Sequence, residues 1–486
     1  MQRIMNPEAL ASHGNVPGRR DMVEILEAGL RAADPYNNTR ALLQREGTRL
    51  ILDGDFAPAE CPAGLPTGPQ VIDLDDVERI YVVGAGKGIQ RVALAFEHAL
   101  GDRLTGGVVI DKHGQDLECT RVQVVYGAHP LPDQGCLDGC QHILDLAGTL
   151  TERDLVFTLA GNGVSSLLTL PVPGVTLEDL RRVTHMMQIE RGVPTGDLNP
   201  IRNHLDQMKG GKVTRALRRA RVVHLIAWDC RTYDWLIDTN VWLHFFPDRS
   251  TYADAVAMLH KWDAWDAAPE AVRRHLSQAD PAQETMKRAE FEARGERIFG
   301  VMPERIGMLP SATARARELG YEAHILGTPM HNEASAYARE SAARALAIAS
   351  GQEPAYRAPC VLINGGEMIV TVGKENGIGG RNQEHALAAA THIAGSERVV
   401  IGSVDSDGTD GPGTQLVPGC EGIPSLAGGI VDGETMKEAS ERGVNVAEAL
   451  RRHDTTRALL SLDSGVIATR NISMNDLTVA LVMGPG

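Results

Sequence analysis

Two rhythms of hydrophobic residues alternate along the chain. Short unbroken apolar runs, most of them closed by glycine turns, mark buried strands. Between them apolar positions recur at three- and four-residue spacing, which marks helices. Met22, Ile25, Leu26 and Leu30 predict a first helix; Ala33-Asp34-Pro35 breaks it, and a second helix carries Leu42, Leu43 and Leu50. Ile80-Tyr81-Val82-Val83 predicts a strand that runs through Gly84-Ala85-Gly86-Lys87-Gly88 into a helix with Ile89, Val92, Phe96 and Leu100 on one stripe. Further strands are expected over 107–110, 122–125, 155–159, 222–226, 321–326, 399–402 and 477–482. Helices are expected over 177–187, 251–275, 281–297, 311–319, 333–349 and 434–460. Val361-Leu362-Ile363 turns at Asn364-Gly365-Gly366 and returns as Ile369-Val370-Thr371-Val372, which predicts a hairpin or two neighbouring strands.

Strand–turn–helix alternation over this length predicts an α/β protein of two α/β domains. The expected division is a flexible N-terminal tail over 1–20, a first domain over 21–350, a linker over 351–359 (GQEPAYRAP) and a second domain over 360–486. At 486 residues, one hydrophobic core is not enough. A hydrophobic share of 43% with 23% charged residues describes a globular chain, and a net charge of −15 argues against nucleic-acid or anionic-membrane surfaces. No apolar run suits a signal peptide or a membrane span, so the expectation is cytoplasmic. Seven scattered cysteines suit reduced thiols rather than a disulfide framework. Aromatic residues make up only 4% of the chain yet crowd into 228–246, where they would line a pocket, cap a core or meet another subunit.

Candidate chemistry sits where order changes. Gly84, Gly86 and Lys87 form a strand-to-helix turn suited to an anion, although Ile89 stands where a dinucleotide fingerprint needs glycine, and no P-loop pattern is present. Gly161-Asn162-Gly163-Val164-Ser165-Ser166 offers amides and hydroxyls at a second strand end. Arg381 lies where a glycine loop (Gly377, Gly379, Gly380) meets a helix start, so dipole, amides and guanidinium would clamp a carboxylate or phosphate; Glu367 leaves the preceding turn. His129, Arg202, His204 and Lys209, with Lys212 behind them, are candidate substrate contacts. Asp405, Asp407 and Asp410 alternate with glycine turns, either to hold Mg²⁺ or simply to turn the chain.

GAGKG at 84–88, GAHPLPD at 127–133, PVPGVTLEDL at 171–180 and LNPIRNHLDQMKGGK at 198–212 resemble, in this order, the type-2 glycerate kinase family. GGE at 365–367, GGRNQE at 379–384 and DSDGTDGP at 405–412 continue the resemblance, which runs from about 21 to 483. Members of that family, some named hydroxypyruvate reductase, join a DUF4147 domain to a MOFRL domain. The resemblance implies an interdomain active-site cleft, transfer of the γ-phosphate of ATP with Mg²⁺ to the 2-hydroxyl of D-glycerate or a related small sugar acid, and a homodimer. Lys87 and Arg381 match the family's catalytic lysine and arginine, and Glu367 and Asp407 match acidic residues of its site. Where relatives carry Ser-Gly-Gly-Gly-Ser-Ala this chain has 161–166, and Trp228-Asp229-Cys230-Arg231 replaces a Ser-Asp-Val stretch. Those changes leave open isomerase- or hydrolase-type chemistry on a hydroxy- or keto-acid, or a catalytically silent carboxylate binder.

Overall fold

The computed structural model describes residues 2–114, 119–230, 232–239, 243–302, 307–327, 331–372, 377–411, 419–420, 422–471 and 475–485. The chain forms two compact units, Pro35–Pro303 and Met1–Asp34 with Glu304–Gly486. No helix among the described residues is long and apolar enough to cross a membrane.

The Pro35–Pro303 unit opens with a small antiparallel sheet of β1 (Leu43–Glu46), β2 (Arg49–Leu52) and β3 (Gln70–Asp73). The second expected helix, carrying Leu42, Leu43 and Leu50, ran through this region. Leu50 and Leu52 are instead buried on one strand face with Arg49 outside, a period of two that the leucine spacing alone does not separate from a helix. A six-stranded parallel sheet follows, built from β4 (Arg79–Ala85), β5 (Gly106–Lys112), β6 (Gln123–Gly127), β7 (Asp154–Ala160), β8 (Arg221–Ile226) and β9 (Arg297–Gly300). Its spatial order is β6-β5-β4-β7-β8-β9. The sheet grows one way from β4 to β6 and then the other way from β7, so β4 and β7 flank a topological switch point, where the crevice beyond the strand C-termini is the usual ligand position. All seven residues of β7 are buried, as a parallel sheet covered on both faces requires. β9 lies at the end of a stretch expected to be helical.

Phe245 and Phe246 of the aromatic segment are buried in the core of this unit, with Trp228 and Trp235 packed against it. The described part of that segment therefore caps a core; Arg231 and residues 240–242 lie outside the described residues. The helices Leu177–Thr184, Thr195–His204, Tyr252–Lys261 and Glu270–Gln278 share a separate core around Leu180, Leu198, Ile201, Leu259 and Leu276.

The other unit is a mixed sheet of β10 (Glu322–Ile325), β11 (Cys360–Gly366), β12 (Val399–Asp405), β13 (Gly428–Asp432), β14 (Gly465–Val466) and β15 (Asp476–Val482), in the order β10-β11-β15-β12-β13-β14. The expected 361–372 hairpin does not form. β11 pairs with β10 and β15, while Ile369 makes only an isolated bridge to Glu333.

The N-terminal segment differs most from expectation. The helix Val16–Ala32 lays Met22, Ile25, Leu26 and Leu30 against Val400, Val404, Leu477 and Leu481. Arg19 and Asp432 form an ion pair at 2.5 Å with both side chains fully buried. Arg3 donates to the carbonyls of Leu30, Ser406 and Thr469. Residues 2–20 are thus integral to the C-terminal sheet, and the break between units falls at 303–304, not at the glycine- and proline-bearing 351–359.

Candidate active site

At the switch point the loops after β4 and β7 run side by side. A Cβ on Gly84 would lie 2.2 Å from the Leu159 carbonyl oxygen, and one on Gly86 would lie 2.7 Å from Gly161 Cα. These glycines permit close approach and do not supply donors. The Gly86 amide donates to Ile110, that of Lys87 to the Asn162 carbonyl at 2.7 Å, and those of Gly88 and Gln90 to the Asp111 carboxylate at 2.7 and 3.2 Å. The helix start expected to hold an anion is therefore already closed by a buried aspartate, and Gly84 and Gly86 offer it no amide. Burial raises Asp111 to about 6 against the pull of those amides.

The loop after β7 is different. Among the described residues the amides of Asn162, Gly163 and Ser165 have no protein partner, whereas Gly161 bonds to Ala85 and Ser166 to Gly163. Gly163 has φ +84°, and a Cβ there would meet Lys87 Cγ at 2.9 Å and His129 Cδ2 at 3.2 Å. Lys87, His129 and these amides thus share one corner. Burial, then the charges of Lys87 and Lys112, lower the pKa of His129 and favour its neutral form. Ser165 Oγ lies 2.7 Å from His244 Nε2. Burial and the nearby Lys209 and Arg202 keep that histidine neutral. Ser166 donates to the Ala128 carbonyl and anchors the His129 loop.

The remaining basic candidates part company. His204 is buried in the helical core, with Nδ1 2.7 Å from the Pro200 carbonyl oxygen, Nε2 2.8 Å from Glu284 and its ring against Tyr252. Lys209 is 2% exposed and donates to the Leu168 carbonyl, Thr169 Oγ1 and Asp206, which accounts for its three N–H groups. Neither is available to a substrate, contrary to expectation. Arg202 touches Gln188 and makes no ion pair among the described residues; burial lowers it to about 10.

In the other unit three strands meet end to end. β11 finishes at Gly366 and β12 at Asp405, both in register with Asp476, where antiparallel β15 begins. Arg381, opening the helix Arg381–Ile393, reaches over this edge. Its Nε donates to both Asp476 oxygens at 2.9 and 2.8 Å, its Nη2 donates to Asp405 at 2.7 Å, and Nη1 lies 3.9 Å from the exposed Glu367. The expected anion clamp is thus an arginine enclosed by carboxylates, with Nη1 alone making no hydrogen bond among the described residues. Asp405 and Asp407 are both raised above the ordinary carboxylate range, chiefly by burial, and the Asp407 backbone amide donates to Asp405 Oδ1 at 3.0 Å.

Asp410 stands apart. Its oxygens accept from the Asn382 and Gln383 amides at 3.2 and 2.8 Å, closing this helix start as Asp111 closes the other. Burial raises it, too, to about 6. It is a cap and not a ligand, a correction to the three-aspartate expectation.

Residues 21–277 match the family described as "Domain of unknown function (DUF4147)", and residues 360–475 match the MOFRL family. The chain is 30% identical over 475 residues to the glycerate 2-kinase of Pyrococcus horikoshii, covering 95% of this chain and 98% of that one. It is 32% identical over 412 residues to the D-glycerate 2-kinase of Thermotoga maritima, covering 84% and 92%. The chain belongs to the type-2 glycerate kinase family. A putative hydroxypyruvate reductase of Agrobacterium vitis is 29% identical over 96% of this chain and 99% of its own. A crystal structure of glycerate kinase from Thermotoga maritima superposes with a TM-score of 0.73 at 29% identity, covering 96% of this chain and 99% of that one. One of a Pyrococcus horikoshii protein gives 0.76 at 27%, with the same coverage. The protein is accordingly a phosphotransferase of this family with two α/β units.

Four residues of this family member were not picked from sequence as site-builders: Asp111, His244, Asn382 and Asp476. Asn382 bridges Asp410 and Asp476 while accepting from Ser403. Asp476 was readable as a carboxylate at the mouth of a buried strand. The others act through tertiary neighbours that no spacing reveals. For Mg²⁺ the fit is partial: no group of three His, Cys, Asp or Glu among the described residues is arranged to hold a metal. Two neighbouring buried carboxyls, both disfavoured as anions by burial, nevertheless suit an ion that keeps waters and takes phosphate oxygens as its other ligands.

Proposed function

We propose that the protein phosphorylates D-glycerate at its 2-hydroxyl, using ATP and Mg²⁺. The observation that carries this reading is the division of labour between two clusters of one chain. Lys87 sits beside loop amides that have no partner among the described residues, and Asp405, which accepts from the Asp407 amide, is braced by Arg381. The first set suits phosphate oxygens and the second a divalent cation; phosphoryl transfer asks mainly for position and charge neutralisation. The names of the Pyrococcus and Thermotoga relatives support the substrate.

In this reading Lys87 neutralises the migrating phosphoryl group while Asn162, Gly163 and Ser165 donate their amides to the nucleotide phosphates. Neutral His129, and Arg202, which makes no ion pair among the described residues, would meet the glycerate hydroxyls and carboxylate. Asp405 and Asp407 would hold Mg²⁺, which when bound offsets phosphate charge, and Arg381 keeps Asp405 in place. Reduction of hydroxypyruvate, which the Agrobacterium relative's name suggests for that protein, fits less well. The strand order is that of dinucleotide folds, but Asp111 occupies the helix start where a pyrophosphate would bind, and Ile89 replaces the third glycine.

The test is ADP release from ATP–Mg²⁺ with D-glycerate, with ³¹P NMR to assign the phosphorylated carbon. Lys87→Ala and Arg381→Ala are each expected to lower kcat/KM by at least about 100-fold. NADH oxidation with hydroxypyruvate, and no ADP with glycerate, would overturn the assignment.

A further inference from the structure

A second concave site lies at the opposite edge of the parallel sheet. The helix Gln134–Thr149 starts beyond the C-terminus of β6 and returns along the sheet; Arg79, first residue of β4, donates to the Thr149 carbonyl, which fixes that helix end beside the strand starts. The pocket there measures about 650 Å³. Its apolar wall includes Leu144, Ala147 and Val172, and its charged wall is Lys212, Arg215, Arg218 and Arg219, with no Asp or Glu among the lining residues. Four cations facing one hollow are not a by-product of composition in a chain of net charge −15.

The charged wall is built from within. Lys212 is 9% exposed and donates to two backbone carbonyls, Asn203 at 2.9 Å and Asp206 at 2.8 Å. Among the described residues it has no carboxylate partner, and its third N–H is unbonded. Asp206, Glu284 and Asp248 lie near enough to favour its charge and Arg215 opposes it, but none of these carboxylates bonds to the ammonium, so an anion in the hollow has a donor to take. Burial accordingly pulls Lys212 down to about 8. Arg215 is committed to Glu290 and the Glu284 carbonyl. Arg218 and Arg219 make no ion pair among the described residues.

We propose that this pocket is a second ligand site, taking a small anion with at least two negative charges and a short apolar part. One anionic group rests on Lys212 and the other on Arg218 and Arg219, while Leu144, Ala147 and Val172 cover the apolar portion. The site is independent of the switch-point residues and does not rest on the kinase assignment.

Inorganic pyrophosphate is the probe, titrated calorimetrically into the Lys87→Ala protein so that binding at the other site is weakened. The expected result is one saturable event. It weakens at least about tenfold both in Lys212→Met and in Arg218→Ala/Arg219→Ala, and tightens as pH falls from about 9 to about 7 and the lysine protonates. The two arginines are exposed, so their replacement leaves the fold intact; in otherwise wild-type protein it leaves turnover without pyrophosphate unchanged. Absence of saturable binding, binding indifferent to the double arginine variant, or loss of basal turnover in that variant would each overturn the proposal.

Discussion

Single aspartates decide how this chain treats its helix starts. Asp111 and Asp410 each accept two amides at the opening of a helix that sequence patterning marks as an anion site. Each is nonetheless raised to about 6, since burial outweighs the hydrogen bonds. The folded protein therefore binds more protons than the unfolded chain from about pH 4 to about pH 6, and stability falls as pH rises through that window. Asp111→Asn keeps an acceptor but does not titrate. In chemical denaturation the advantage of wild type over this variant is expected to shrink between about pH 4 and about pH 7 by on the order of 2 kcal/mol. A growing advantage would mean that the amides dominate. Sequence showed the glycines around Lys87 and Arg381 correctly but not that the neighbouring amides were taken, because Asp111 arrives from the next strand and Asp410 from beyond β12. His204 and Lys209 differ from expectation for a related reason: a basic residue near Gly-Gly looks exposed until its partners, Glu284 and Tyr252 for His204 and Leu168, Thr169 and Asp206 for Lys209, close around it.

Elements carry the site through contact between backbones. β4 and β7 lie side by side across the switch point, and their loops touch because Gly84, Gly86 and Gly161 leave no side chain between them. Gly163→Ala forces a left-handed residue to carry a Cβ 2.9 Å from Lys87 Cγ. It is expected to destabilise by about 1–2 kcal/mol and to raise KM for ATP more than it lowers thermal stability would imply. Thermal melts alongside steady-state kinetics check this; unchanged KM would detach Gly163 from the nucleotide. Strand and helix identities were largely legible from periodicity, as the 80–100 and 154–160 stretches show. Pairing was less so. The 361–372 hairpin was a reasonable reading of two β-prone runs around Asn-Gly-Gly, yet β11 pairs with β10 and with β15, and β15, more than a hundred residues away, brings Asp476 to Arg381.

At the scale of the molecule, the C-terminal sheet is completed by the N-terminal helix. Residues 1–20 were expected to be a loose tail, and nothing local announces that Arg19, or Met22 and Leu26 of the expected helix, have partners near 400, 432 and 477. Breaking a fully buried ion pair such as Arg19–Asp432 costs about 3–5 kcal/mol. A fragment of residues 35–303 is expected to fold by itself, with cooperative unfolding in urea. A fragment of 304–486 is expected to do so only when 1–34 is supplied. Independent folding of 304–486 without that segment, seen in amide-proton dispersion, would contradict the division into units.

This arrangement also sets a timetable during synthesis. Residues 2–34 leave the ribosome before Pro35–Pro303, yet the strands they cover are made after it, so the apolar stripe of the helix Val16–Ala32 stays bare while Pro35–Pro303 emerges and closes. Nascent chains stalled anywhere before β15 should therefore display that stripe to chaperones, and release from them should coincide with completion of the final strand.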